Sequence, residues 1–393
     1  MVLGWETGRC QMRQCKFRCM TTSKDCASPM RPLCRALSVR RPLAGIFGLA
    51  AYFFVGVPAS AQAPAAGQKV EAGQPQVSLV VKTTTDLSEA ADLIAEFTNM
   101  NPGVVVEYSK VLSTDLFDDV VKSSGKRGTV DVVWSSSMDL QIKLANDGYA
   151  AEYRSAQAEG IFGWARWKDR VYGVTAEPVV IVFNKRLLRD GLVPKDHAEL
   201  LRLLTDHLPV FQGKIATYDP ELSGTGLLFI TQDVLVTAQT WKLVAAMGRA
   251  KVKLYSSSGP MIDRVSAGDL ILAYNVLGSY ALERAKHDKD LGVIFPSDYT
   301  LLLSRIALIP QSAAQPILAR RFVDFLLSRN GQALLSRHSL GSVRNDIKPA
   351  IPGYADAEKA LRPIALSIDL LTYLDQAKRQ RFLKDWKKSL QER

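Results

Sequence analysis

The stretch VSLVVKTTTDLSEAADLIAEFTNMNPGVVVEY, Val77 to Tyr108, decides the fold class. It opens with an apolar strand and passes through three threonines and an aspartate. It then enters a predicted helix over residues 86–99, with Leu87, Ala90, Ala91, Ile94 and Phe97 on one face. Asn101-Pro102-Gly103 stops that helix, and VVVEY (Val104 to Tyr108) reads as a second strand. A strand, helical crossover and strand of this length is a βαβ unit, which implies an α/β protein with parallel pairing at this point. The turn itself admits two readings. Asp86 followed by Glu89 fits a capping box that simply starts the helix. Alternatively, the hydroxyls and amides of Thr83-Thr84-Thr85-Asp86 are aimed at a ligand.

The same scheme recurs towards the C-terminus. VDVVW (Val130 to Trp134) runs into Ser135-Ser136-Ser137 and a helix from about Met138. EPVVIVFNKRLL begins an extended segment at Glu177, GKIATYDP leads into ELSGTGLLFITQDVL, and KVKLY is followed by Ser256-Ser257-Ser258-Gly259. DLILAYNVLGSYALERA repeats the pattern once more, GVIFP and SRIALIP read as late strands, and the chain is helical from Ile317 with a break at Pro349 to Pro352. Four strand-to-helix turns therefore share one chemistry: Thr83 to Asp86, Ser135 to Ser137, Ser223 to Gly226 and Ser256 to Gly259. In open α/β sheets ligands bind beyond the carboxyl ends of strands, where helix N-termini offer amides and positive dipole ends. Each turn alone is a plain cap; four together suggest a cleft lined from two sides. The candidate ligand residues are Thr84, Thr85, Ser136, Ser137, Ser223, Gly224, Thr225 and Ser257, with Tyr172 and Tyr274 as stacking or hydrogen-bonding partners. Lys82 and Arg305 are the candidate cations, and Glu177 a candidate for a solute hydroxyl or a lysine.

Upstream, residues 30–61 form a different kind of segment. A basic stretch ending in Arg40-Arg41, an apolar run from Leu43 to Val57 and the small residues Ala59-Ser60-Ala61 describe a cleaved signal peptide, with the cut expected before Gln62. The apolar run is shorter than the ~20 residues a spanning helix needs. Residues 1–61 are thus assigned to the signal peptide, with Met20 and Met30 as alternative translation starts, and residues 62–76 to a flexible leader rich in Ala, Pro, Gly and Gln. All five cysteines precede the cut, which excludes disulfides, thiolate metal sites and cysteine nucleophiles from the mature chain. The chain holds 50 Lys or Arg and 39 Asp or Glu; nine and two of these precede residue 62, so the mature part nets only +4. That balance gives no reason to expect a nucleic-acid partner.

The ordered segments resemble bacterial extracellular solute-binding proteins of ABC transporters. AADLIAEFTNMNPGVVVEY resembles the family's opening helix and second strand, VDVVWSSSMDLQIKLANDGY its aspartate-led strand and serine turn, VFNKRLL its crossing segment, and ARRFVDFLLSRNGQALL its late helix. The resemblance implies the two-lobed type II periplasmic binding fold, each lobe a mostly parallel sheet flanked by helices, joined by a two-segment hinge. Lobe one is expected over 77–182 plus 281–393 and lobe two over 183–280. It also implies a monomer in the periplasm that needs no cofactor, captures a small anionic solute such as a phosphorylated sugar or acid or a phosphonate, and delivers it to an ABC permease in the inner membrane. Two alternatives stay open: a sensor presenting its bound state to a two-component sensor kinase ectodomain, and a ferric-ion-binding protein. Ferric-binding members carry adjacent tyrosines where this chain reads Gly278-Ser279-Tyr280, which argues against the hard phenolate ligands iron needs. Four scattered histidines suggest no metal site, and no GxSxG, HExxH, P-loop or dinucleotide fingerprint points to an enzyme. The basic C-terminal segment from Tyr373 to Gln391 is expected to pack on lobe one through Leu374, Phe382 and Trp386.

Overall fold

A computed structural model describes residues 76–189, 191–348 and 353–392. The expected signal peptide, residues 62–75 of the leader and the break at 349–352 lie outside the described residues. In chain order the first elements are β1 (Val77–Thr83), α1 (Leu87–Met100), β2 (Val104–Lys110), α2 (Ser113–Lys122), β3 (Val132–Ser135), α3 (Met138–Asn146), β4 (Arg166–Trp167), β5 (Val171–Gly173) and β6 (Glu177–Asn184). Next come α4 (His197–Asp206), α5 (Leu208–Phe211), β7 (Ile215–Tyr218), α6 (Gly224–Val236), α7 (Thr240–Arg249), β8 (Lys253–Tyr255), α8 (Ser258–Ala267), β9 (Leu272–Leu277) and α9 (Gly278–Ala285). The chain ends with β10 (Leu291–Ile294), β11 (Thr300–Leu303), β12 (Ile306–Leu308), α10 (Pro316–Leu327), α11 (Arg329–Arg337), α12 (Tyr354–Ala357), β13 (Leu361–Pro363) and α13 (Gln376–Gln391).

These strands form two sheets. The first has the order β2-β1-β3-β12-β5-β4, and the second β13-β11-β6-β9-β7-β8 with β10 also paired to β6. The βαβ reading of Val77 to Tyr108 holds: β1 pairs parallel with β2, Val77 opposite Val104, and also parallel with β3. The sheets are mixed, however. Parallel pairing is confined to β2-β1-β3, to β9-β7-β8 and to β13-β11, because the strands that carry the chain between sheets run back against their neighbours.

The chain crosses between sheets at residues 174–176, from β5 to β6, and returns at 304–305, from β11 to β12. By sheet membership, then, β6, β10 and β11 lie in the second sheet, and the chain passes to that sheet again between β12 and β13, whereas the expected limits are 182 and 280 with all of 281–393 in lobe one. Gly341 shows how tightly this junction is packed: at φ +69°, a Cβ there would meet the Ala176 carbonyl oxygen at 2.2 Å. The C-terminal helix also departs from expectation. Phe382 and Trp386 bury in the core that holds Leu243, Val244 and Met247 of α7, on the second sheet's side, with Phe382 against Trp241 at 5.3 Å. Its amphipathic pattern marks a buried face but not which lobe receives it.

α1 packs through Ala90, Leu93 and Phe97, and Phe97 meets Phe322 of α10 edge-on at 4.9 Å. The first sheet's core is Leu79, Val81, Val132 and Trp134 with α10; Val180, Val182, Ala273 and Val276 fill the second. Rigid strands thereby fix where each loop at their carboxyl ends begins.

Candidate functional site

Sheet order brings the four hydroxyl-rich turns together in two pairs. β1 and β3 are neighbours, and beyond their ends Thr84 Oγ1 lies 3.2 Å from Ser136 Oγ and accepts the Ser136 amide at 3.0 Å. β7 and β8 are neighbours too, and beyond them the Asp219 amide donates to the Tyr255 carbonyl at 2.8 Å. The hydroxyls are used differently. Ser223 caps α6 by accepting the Gly226 amide at 3.1 Å. Asp86, Ser137 and Ser257 occupy the N-cap positions of α1, α3 and α8, and none of the three makes a side-chain cap bond. Asp86 pairs instead with Lys110 at 2.6 Å, so the capping box expected of Asp86 and Glu89 does not form. In α1 and α8 the first-turn amides meet no side chain, each at a positive dipole end, whereas in α3 the Leu140 amide donates to Asp139 Oδ1 at 2.9 Å.

A buried ionic knot lies where the chain crosses between the sheets. Arg305, 1% exposed, grips Glu177 with two hydrogen bonds, Nε to Oε1 at 2.8 Å and Nη2 to Oε2 at 3.0 Å, while Nη1 donates to Thr85 Oγ1 at 2.9 Å. Glu177 also accepts from the Thr175 hydroxyl at 2.8 Å and the Ser279 hydroxyl at 2.5 Å. These partners come from both crossing links and from α9, so the knot fastens the junction from which both pairs of turns project. Bidentate geometry with every lone pair used is what a buried pair needs to offset desolvation. Burial pulls the Arg305 guanidinium down, but Glu177 and Glu89 hold it well above its usual value.

Glu89, from the first turn of α1, completes this cluster differently. Its Oε2 lies 3.3 Å from Arg305 Nη1, within ion-pair range, but Nη1 is aimed at Thr85 and no hydrogen bond reaches that oxygen. Burial outweighs Arg305 and pushes the Glu89 carboxyl up to about 7. The Tyr280 ring sits 5.7 Å from the Arg305 guanidinium, and its hydroxyl is raised mainly by burial. On the second sheet's side, Tyr218 and Ser258 join their hydroxyls at 2.5 Å, and Ser258 Oγ accepts the Leu277 amide at 3.0 Å. A cavity of about 380 Å³ opens beside Glu89, walled by Ser88 and Glu89 of α1, Gly259 and Asp263 of α8, and Tyr280 and Arg284 of α9; of the four hydroxyl-rich turns, Asp86 and Gly259 reach it.

The residues singled out from sequence fall into three groups. Thr84 and Ser136 meet each other, and Ser137, Gly224, Thr225 and Ser257 stand at helix starts with partial or full exposure. Thr85 and Ser223 are buried and give their oxygens to Arg305 and to the α6 cap. Tyr172 and Tyr274 are 2% and 1% exposed, and their hydroxyls donate to the Tyr153 carbonyl and to Asp233, so neither offers a group to a cleft ligand. Both candidate cations are engaged: Lys82 with Asp119 at 2.5 Å, and Arg305 with Glu177. Sequence reasoning passed over Glu89 as a ligand group because a glutamate three places after an N-cap has an ordinary explanation. Ser279 carries one signal in the sequence, its place beside the tyrosine of Gly278-Ser279-Tyr280.

Residues 79–339 match the model of a family described as bacterial extracellular solute-binding protein. The chain belongs to that family. A substrate-binding protein of an ABC transporter from Agrobacterium tumefaciens is similar at 38% identity and TM-score 0.73, over 82% of this chain and 96% of that one. Iron-bound HitA from Pseudomonas aeruginosa shares the fold at 19% identity and TM-score 0.64, over 80% and 99% of the two chains. AfuA from Actinobacillus pleuropneumoniae, solved with fructose-6-phosphate, does so at 17% identity and TM-score 0.61, over 81% and 99%. A search of curated proteins returned no match. The two sheets flanked by helices are thus a type II periplasmic binding fold, in an ABC transporter solute-binding protein. Membership implies a small-molecule ligand, a permease partner and a periplasmic location; among the described residues no helix is long and apolar enough to cross a membrane.

Proposed function

We propose that the protein captures a small solute with an anionic head between the α1-α3 and α6-α8 turns and hands it to an inner-membrane permease as a monomer. The observation that carries this is the difference among the caps: the N-cap residues of α1, α3 and α8 make no side-chain cap bond, the first-turn amides of α1 and α8 meet no side chain, and these turns come from both sheets. Uncapped amides and small hydroxyls suit a phosphate, phosphonate or carboxylate. Because Lys82 and Arg305 are already paired, the head is held by neutral dipoles. The links at 174–176 and 304–305 serve as the hinge, and a ligand touching turns of both lobes favours closure. The lone tyrosine of Gly278-Ser279-Tyr280, where ferric ion would need paired phenolates, favours an organic anion over ferric ion.

The test is thermal unfolding of residues 62–393 against sugar phosphates, phosphoglycerates, phosphonates, dicarboxylates and ferric citrate. A ligand at about 100 times its dissociation constant adds about 2.7 kcal/mol and raises the midpoint visibly. A phosphorylated or phosphonate hit supports the reading; a shift with ferric citrate alone overturns it.

A further inference from the structure

The first turn of α1 presents the cleft with two unlike things, uncapped amides and the Glu89 carboxyl. The Glu89 side chain is 15% exposed, lines the cavity and keeps Oε2 buried without a hydrogen bond. Most of its charged neighbours are engaged elsewhere. Arg305 is taken by Glu177 and Thr85, Asp86 by Lys110, and the Tyr108 hydroxyl by the Thr85 carbonyl. Tyr280 lies beside Arg305; across the cavity Arg284 pairs with Asp263 and Glu283 with Lys286, while His287 forms part of the wall. Among the described residues none donates a hydrogen bond to Glu89 Oε2. A buried carboxyl oxygen without a donor is held at a cost in stability, which a ligand donor would remove.

We propose that Glu89 is a specificity-determining residue that accepts a hydrogen bond from a hydroxyl or ammonium group of the solute. This rests on the anionic-head reading above and narrows it. The head sits on the α1 amides, and Glu89 projects from the same turn, so the donor lies within about one helical turn, ~5 Å, of the head. The solute is then a compact anion carrying its own donor, such as a phosphorylated polyol or an amino-substituted phosphate, and a bare alkyl anion is disfavoured. A donor is best accepted by ionised Glu89, so such a solute expels a proton on binding and is held more tightly as pH rises through the Glu89 range. A bare anion is repelled by the same charge and weakens as pH rises.

The experiment measures dissociation constants of wild type and Glu89→Gln for glycerol 3-phosphate (hydroxyl), 2-aminoethyl phosphate (ammonium) and ethyl phosphate (neither). Each is measured at about one pH unit below and above the Glu89 midpoint. The three carry the same kind of head, and comparing wild type with Glu89→Gln for one member at one pH cancels that member's own phosphate titration. The expected result is that wild type prefers a donor-bearing member over ethyl phosphate at least tenfold at the higher pH. That preference shrinks at the lower pH and loses its pH dependence in Glu89→Gln. The member that wins tells hydroxyl from ammonium. Equal preferences in wild type and Glu89→Gln, or a preference for ethyl phosphate, overturn the role of Glu89 while leaving the anion cleft standing. No binding of any member overturns the anionic-head reading, and this inference with it. Thermal midpoints check that Glu89→Gln is folded, and Glu89→Ala supplies the same comparison if it is not.

Discussion

Asp233, fully buried, and Glu89, mostly buried, are both carboxyl groups raised mainly by burial, yet they are built in opposite ways. Asp233, on α6, collects the Tyr274 hydroxyl at 2.9 Å, the Asn275 amide at 2.6 Å and the Tyr299 hydroxyl at 3.0 Å. The latter ring stacks on His197 at 4.0 Å beside a separate cavity of about 250 Å³ in the second sheet's helical layer. Asn275 takes φ +59° to reach Asp233, at the irregularity where β6 and β9 slip register. That network spends several side chains and some backbone strain on satisfying one carboxyl group. Glu89 receives no such donor at Oε2, and it faces the cavity walled by α1, α8 and α9. Burial alone therefore does not separate scaffold from site; the number of donors supplied by the protein does.

The Arg305 knot sets the largest expected effect. Arg305→Met would leave Glu177 buried and uncompensated, and urea unfolding should show a loss of about 3–5 kcal/mol. A loss below about 1 kcal/mol would mean the knot is not what fastens the junction.

A smaller effect separates the two carboxyl groups directly. Asp233→Ala would orphan three buried donors and should cost about 2–3 kcal/mol, whereas Glu89→Gln should leave stability unchanged below a pH of 4.5. Glu89 has its folded value raised from 4.5 to about 7, so the folded state binds the proton more tightly than the unfolded chain. Its contribution is fully present below 4.5 and is lost as pH rises through about 7. Asp233 is raised as well and gives a fall of the same sign, so the informative quantity is the difference between the wild-type and Glu89→Gln profiles. That difference should amount to on the order of 2 kcal/mol between the ends of this window. Parallel profiles would show Glu89 ionised and solvated in the free protein.

Much of this architecture is legible in the sequence, for identifiable reasons. Strand-turn-helix repeats from Val77 to Ala285 carry their periodicity locally, and the pairing of β1 with β2 and the position of the four turns follow from it. β11 is not legible. Thr300 to Leu303 runs through Ser304-Arg305 into β12, and one-dimensional patterning cannot show that the chain changes sheets there. The union of Glu177 with Arg305 joins residues 128 positions apart, and the division of labour among the turns depends on where individual hydroxyls point. Ser223 and Ser257 look alike in sequence, yet one caps its helix and the other does not. The tyrosines mislead for the reverse reason: position near a crossing is visible, but the hydroxyl partners of Tyr172 and Tyr274 are not.

The central claim, that uncapped turns hold the solute while the capped one holds its helix, is tested most directly by calorimetric titration. The ligand is the strongest phosphorylated hit of the thermal panel, and the variants are Ser137→Ala, Ser257→Ala, the double variant and Ser223→Ala. Ser137→Ala and Ser257→Ala should each weaken binding by about 1.5 kcal/mol, the usual worth of a hydrogen bond to a charged group, with unfolding midpoints unchanged. Ser223→Ala should instead lose about 1 kcal/mol of stability and keep its affinity. Affinities unchanged in the first two, or a loss of binding confined to Ser223→Ala, would contradict the claim and place the solute elsewhere.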